Sequence, residues 1–168
     1  MSSTGMLMFG YRSLAIVDSS YERSKWHVKG LLIIKGKVNL GRGTNLVVAE
    51  SGTLIFGDKF IITGRSTIIC RKRIEFGAGS LVSWDVLFMD TDYHPIYNKD
   101  KIIINDEKPI LVGKKTWIGC RSLILKGSVI PDGSVISAGS VIAGILTKKD
   151  TIYTSNKTIL KENVYWQL

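Results

Sequence analysis

Between residues 112 and 147 the chain divides into six consecutive hexads: VGKKTW, IGCRSL, ILKGSV, IPDGSV, ISAGSV and IAGILT. Each opens on an aliphatic residue: Val112, Ile118, Ile124, Ile130, Ile136 and Ile142. Leu, Ile and Val make up 49 of the 168 residues. Six in succession at a fixed register have a chance likelihood on the order of one in a thousand. The fifth position adds an independent regularity: Thr116, Ser122, Ser128, Ser134 and Ser140. A period of six fits neither an amphipathic helix nor a simple alternating strand. It suits a coil with three short flat sides. One aliphatic residue per side points to the axis, and a small residue sits where the chain turns. Stacked coils bury a continuous aliphatic column and pair each backbone with the coils above and below. The alternative is a set of ordinary buried strands separated by Gly-Ser turns.

The first half carries a weaker version of the pattern, in three triplets: Ile34, Leu40, Leu46; Phe56, Ile62, Ile68; and Phe76, Val82, Phe88. The steps between triplets are ten and then eight residues, which predicts small bulges at two corners. Inward aromatic residues predict a wider or less regular start. From Phe88 to Val112 the chain uses 24 residues where the repeat needs six. The 18 extra residues equal one full coil. If that coil existed, its inward positions would be His94, Asp100 and Asp106. Three unpartnered polar groups in an aliphatic column would cost several kcal/mol each, so the segment is predicted to leave the stack as a loop. Long loops in compact repeats tend to carry function. This one contains DTDYHPI, residues 90–96, with one of the two histidines of the chain. An imidazole can accept and return a proton near neutral pH.

Composition narrows the setting. With 168 residues, 45% hydrophobic and 22% charged, the chain supports one globular domain with a sizeable core. No run approaches the roughly 18 apolar residues of a membrane span, and the start MSSTGMLMFGYRS lacks a secretory pattern. A cytoplasmic protein is expected. Cys70 and Cys120 are too few and too far apart for a disulfide framework or a metal knuckle. The net charge of +9 points to an anionic partner, which could be nucleic acid, a membrane surface or a phosphorylated small molecule. No RNA- or DNA-reading motif is present, so nucleic-acid binding rests on charge alone.

The hexads, together with VSWDVLFMDTDYHPI, TWIGCRSLILKGSVIPDGSVISAGSVI and the closing NKTILKENVYW, resemble the hexapeptide-repeat acyltransferases. The resemblance covers about residues 30–166. It is strongest to the branch that O-acetylates sugars and polysaccharides, whose fold is all-β, a left-handed parallel β-helix. It implies direct acetyl transfer from acetyl-CoA to a hydroxyl, with no metal required. His94 would be the general base, with Asp90 and Asp92 either orienting its ring, binding acceptor or standing as solvated loop charges. Trp117 matches the tryptophan beside the acyl donor, and Cys120 stands where a small residue is usual and would line the pocket. Ala138 and Gly139 would leave room for the pantetheine arm. Lys148 and Lys149 are the candidates for the phosphates of CoA, with Arg121 and Lys126 on neighbouring coils. The 71–73 run, RKR, could instead serve a partner or the acceptor.

The implied organisation is a capping segment over residues 1–30, a β-helix over 31–147 with a protruding loop at 89–111, and a C-terminal extension over 148–168. The implied assembly is a homotrimer with each active site between neighbouring β-helices. His27 lies before the clean repeats and is read as structural. Two histidines are too few for a zinc β-helix hydratase of the carbonic-anhydrase type, which needs three. Ala143 and Gly144 replace the usual Thr-Lys. SNKT, 155–158, replaces the usual Gly-Asn-Pro-Ala turn, and losing the proline predicts a more mobile tail. The expected function is acetyl-CoA-dependent O-acetylation of a sugar or glycan precursor. N-acylation of an amino sugar stays within the same class. The competing reading is a β-helix that has lost catalysis and serves as a scaffold or binding module.

Overall fold

The computed structural model describes residues 6–10 and 20–167. The strands form three parallel sheets, one on each side of a triangular coil. The first sheet runs β1 (Met6–Phe9), β4 (Lys37–Leu40), β7 (Phe60–Ile62), β10 (Leu81–Val82), β13 (Trp117–Ile118), β16 (Val135–Ile136) and β18 (Ile152–Tyr153), ending on the antiparallel β19 (Ile159–Lys161). The second holds β2 (Lys25–Val28), β5 (Asn45–Val48), β8 (Thr67–Cys70), β11 (Leu87–Met89), β14 (Leu123–Leu125) and β17 (Val141–Ile142). The third holds β3 (Leu31–Ile34), β6 (Thr53–Phe56), β9 (Arg73–Phe76), β12 (Ile110–Val112) and β15 (Val129–Ile130). No helix among the described residues is long and apolar enough to cross a membrane. This is the hexapeptide-repeat β-helix expected from the sequence.

The predicted inward residues stack in register. One column runs Leu40, Ile62, Val82, Ile118, Ile136 and Tyr153. A second runs Leu46, Ile68, Phe88, Ile124 and Ile142, and a third Phe56, Phe76, Val112 and Ile130. All of these are buried. Ile34 is only half-buried because it lies on the terminal coil. The four-residue strands of the first half also bury the residue two positions earlier, as in Val38 and Leu54. The aromatic start is a cluster: the rings of Phe56, Phe60 and Phe76 lie 4.6–5.4 Å apart, and Phe88 meets Phe76 edge-on.

Turn chemistry explains the fifth position of four of the six hexads. The hydroxyls of Thr116, Ser128, Ser134 and Ser140 donate to the carbonyl three residues earlier, at 2.6–3.0 Å. All are buried, and each bond satisfies a corner carbonyl that no strand can reach. The preceding residue takes a left-handed φ: Lys115, Arg121, Gly127, Gly133 and Gly139 lie between +49° and +78°. The ten-residue step is absorbed by a turn at 49–52, closed by Gly52 N–H on Ala49 O.

The described part of the 1–30 segment includes the strands β1 and β2. β1 and β2 sit at the ends of their sheets and, with β3, make the terminal coil. Phe9 and Trp26 meet edge-on there, ring centroids 5.2 Å apart. At the opposite end Tyr153 closes the column, its hydroxyl donating to Lys148 O and accepting from Lys148 N–H. The tail is tied down as well, with Ser155 Oγ accepting from Val141 N–H and β19 paired to β18.

Candidate active site

The chain leaves the stack after β11 and rejoins it at β12. His94, Asp100 and Asp106 are all exposed, so the 18 extra residues form a loop and not a coil. The departure leaves the corner beneath without a full coil above it. Asp90 fills that gap: fully buried, its carboxylate accepts from the backbone N–H groups of Arg71, Lys72 and Arg73 at 2.7, 2.9 and 2.8 Å. Both oxygens of Asp90 are thus committed to the RKR corner.

Beyond Asp90 the loop is organised by Asn105. Its amide donates to His94 O and to Asp92, each at 2.9 Å, and its carbonyl accepts from Ile96 N–H at 2.7 Å. Lys126, from the coil above, pairs with Asp92 and also donates to Asn105 O. The Lys126 ammonium, and next the Asn105 amide, hold the Asp92 carboxyl below the usual carboxylate range. The tip is a small antiparallel hairpin bridged between Tyr97 and Ile103. Arg71 braces the returning limb through Glu107 at 2.7 Å and lies over the Tyr93 ring.

His94 stands exposed at the hairpin base, beside a cavity of about 250 Å³ lined by Arg71, Thr91, Asp92, Tyr93 and Glu107. No side chain among the described residues hydrogen-bonds its imidazole. Among the described residues neither carboxylate considered from the sequence hydrogen-bonds the ring: Asp90 closes a corner and Asp92 anchors the loop. Tyr93, next to it, holds a left-handed φ of 61°, a conformation rare for a bulky residue.

The remaining predicted residues occupy other corners. Trp117 faces outward from the first sheet, partly exposed, and its indole N–H donates to Ser83 Oγ at 3.1 Å. Cys120, Ala138 and Gly139 stack at the edge between the first and second sheets, where Gly139 N–H donates to Cys120 O. A Cβ on Gly139 would meet nothing within 4 Å, so this edge is open to an extended ligand arm. Lys148 and Lys149 lie on the edge between the third and first sheets and are ion-paired with Glu162 and Asp132. His94 occupies the edge between the second and third sheets. His94, the stack of Cys120, Ala138 and Gly139, and the two lysines thus stand on three different edges of one chain.

Several residues escaped the sequence reading. Asn105 has no motif around it, and its role depends on three partners in space. Trp166, in the tail, packs against Trp117 with ring centroids 6.1 Å apart and donates to Lys115 O. His27, read as structural, instead points outward from β2 and is exposed.

No protein-family model matches the chain. A protein of Klebsiella pneumoniae, described as an uncharacterized 24.8 kDa protein in the cps region, is 32% identical over 145 residues. That match covers 83% of this chain but 62% of the relative's length. Among solved structures, the polySia-specific acetyltransferase NeuO aligns with TM-score 0.54 and 23% identity, over 88% of this chain and 85% of its own. The polysialic acid O-acetyltransferase OatWY aligns with TM-score 0.60 and 19% identity over 87% of each chain. A hexapeptide-repeat-containing acetyltransferase from Vibrio cholerae gives 0.62 and 18%, over 81% of this chain and 74% of its own. Taken with the three stacked sheets and the register of their columns, these likenesses mean that the chain has the β-helix fold of the hexapeptide-repeat acetyltransferases.

Proposed function

We propose that the chain is an acyltransferase that moves acetyl from acetyl-CoA directly to a hydroxyl of a sugar or glycan, in the cytoplasm. The observation that carries this reading is His94: an unpartnered, exposed imidazole on a braced loop, beside a cavity, in a protein otherwise built as scaffold. His94 removes the proton of the acceptor hydroxyl as its oxygen attacks the thioester carbonyl, then returns it to the departing sulfur. A backbone N–H supplies the oxyanion contact. Trp117, Cys120, Ala138 and Gly139 hold the donor arm along the open edge, while Lys148 and Lys149 face the phosphates of CoA once their carboxylate partners yield. The separation of His94 from that edge supports a homotrimer in which one subunit's hairpin meets its neighbour's donor face. Polysialic acid, the acceptor of two of the structural neighbours, is the first acceptor to try.

Calorimetric titration with acetyl-CoA tests this. Near one site per chain is expected, with Trp117→Ala weakening binding about tenfold, roughly 1.4 kcal/mol. His94→Ala should bind the donor as wild type does yet lose about 10²- to 10⁴-fold in transfer. Absence of binding at millimolar acetyl-CoA would reject the transferase and leave the catalytically inactive scaffold as the reading.

A further inference from the structure

Trp117 is the outward residue of the short strand β13, and its neighbours along the sheet, Leu81 and Val135, are smaller aliphatic residues. An indole in that position, 38% exposed, has room to turn about its own side-chain bonds. Two contacts from distant parts of the chain oppose this. Ser83 Oγ, from the corner after β10, accepts the indole N–H at 3.1 Å. Trp166, from the tail, sets its ring against the Trp117 ring, with centroids 6.1 Å apart and planes inclined at 48°. That separation lies within the range of attractive aromatic pairs.

The segment that brings Trp166 there is fastened at a few points. Glu162 pairs with Lys148, Val164 N–H donates to Asp150 O at 2.9 Å, and the Trp166 indole N–H donates to Lys115 O at 2.7 Å. Between these points a cleft of about 540 Å³ stays open, lined by Gly79 and Gly133 of the corners and by Tyr165 and Gln167 of the tail. Tyr165 itself is 86% exposed. The tail therefore spans this edge without filling it. The ring contact that it makes on the first sheet falls on Trp117.

We propose that Trp166 is a positioning residue for the acyl donor: together with Ser83 it holds the Trp117 indole in one rotamer, set for the donor arm. This rests on the transferase reading and adds to it a requirement that residues 162–166 be docked. Trp166 acts through Trp117 and not by touching the donor. A loose indole would have to be ordered when the donor arrives, and a clamped one is ordered beforehand. Because the effect passes through a single side chain, it disappears when that side chain is removed.

The test is a double-mutant cycle on the full chain, read by calorimetric titration with acetyl-CoA. Trp166→Ala should weaken binding about three- to tenfold, the effect of freeing one large side chain. In the Trp117→Ala background the same change should alter affinity by less than about twofold. Trp166→Phe keeps a ring against Trp117 and should bind more tightly than Trp166→Ala. Should Trp166→Ala prove unfolded in a thermal melt, Ser83→Ala frees the other end of the same indole and replaces it in the cycle, with the same losses expected. Wild-type affinity in the Ala variant, an equal loss with and without Trp117, or a Phe variant no tighter than the Ala variant would each overturn the proposal. Any of these outcomes, in a chain whose wild type binds acetyl-CoA, rejects only the role of the tail. A wild type that does not bind acetyl-CoA rejects the transferase reading and this proposal with it.

Discussion

Asp90 and His94 are four residues apart in one motif yet face different tasks. Asp90 ends three corner N–H groups that no strand reaches, and His94 ends nothing. Asp90→Ala would leave three part-buried donors without their acceptor, and a loss of about 2–4 kcal/mol is expected from the urea midpoint. His94→Ala should move that midpoint by less than about 0.5 kcal/mol, as at other exposed positions. The two cysteines divide in a similar way. Burial, followed by the nearby Asp90 carboxylate, pushes the Cys70 thiol up to about 12. A native disulfide-reagent titration at pH 8 should therefore count one thiol, Cys120, and a second only after denaturation. The protonated Cys70 therefore favours the folded state fully below the ordinary thiol range. That contribution is lost as pH rises through about 12. A Cys70→Val variant should show a flatter decline of stability above pH 9.

At the scale of elements, the columns were legible because a six-residue register exposes every third-side residue to inspection. Val38, Leu54 and Ile74 were not, since a strict hexad records one inward residue per side and the longer strands bury two. The existence of the loop could be read from the polarity of His94, Asp100 and Asp106. Its wiring could not. Lys126 looks like a cofactor cation in sequence, but it is spent on Asp92, 34 residues away. Because the Asp92 carboxyl is held below its usual range, this anchor persists above the ordinary carboxylate value and is lost only as pH falls through the lowered one. Lys126→Met should accordingly raise amide exchange across 92–108 at neutral pH and leave the amides of β13 to β17 protected. Equal protection of the loop in that variant would show the anchor to be idle.

Three edges of one molecule carry the three parts of the proposed site, and no length of the described loop unites them. If neighbouring subunits do so, a variant without the base and one with a weakened donor face should repair each other when acetyl-CoA is too dilute to load the weakened face. Co-expressed His94→Ala and Trp117→Ala chains form some interfaces with both wild-type residues, about a quarter of the total for random closed rings. Transfer near that fraction is expected. Transfer no higher than the mean of the two separate variants, with each variant assembled as wild type is by light scattering, would place base and donor face in the same chain.

The loop between β11 and β12 also divides the protein in time. Successive partners in the first-sheet column lie close in sequence: Leu40 to Ile62 is 22 residues, Ile62 to Val82 is 20, and Ile118 to Ile136 is 18. Across the loop, Val82 to Ile118 is 36. Chain closure is thus shortest for the regular hexads and longest at the hairpin. Coils on either side can form as near-local units, and their joining waits on the segment that carries His94. Pulse-labelled exchange during refolding should find the hexads of 112–142 protected first. The corner at 71–73 should follow last among the hydrogen-bonded amides, because its cap, Asp90, arrives with the hairpin.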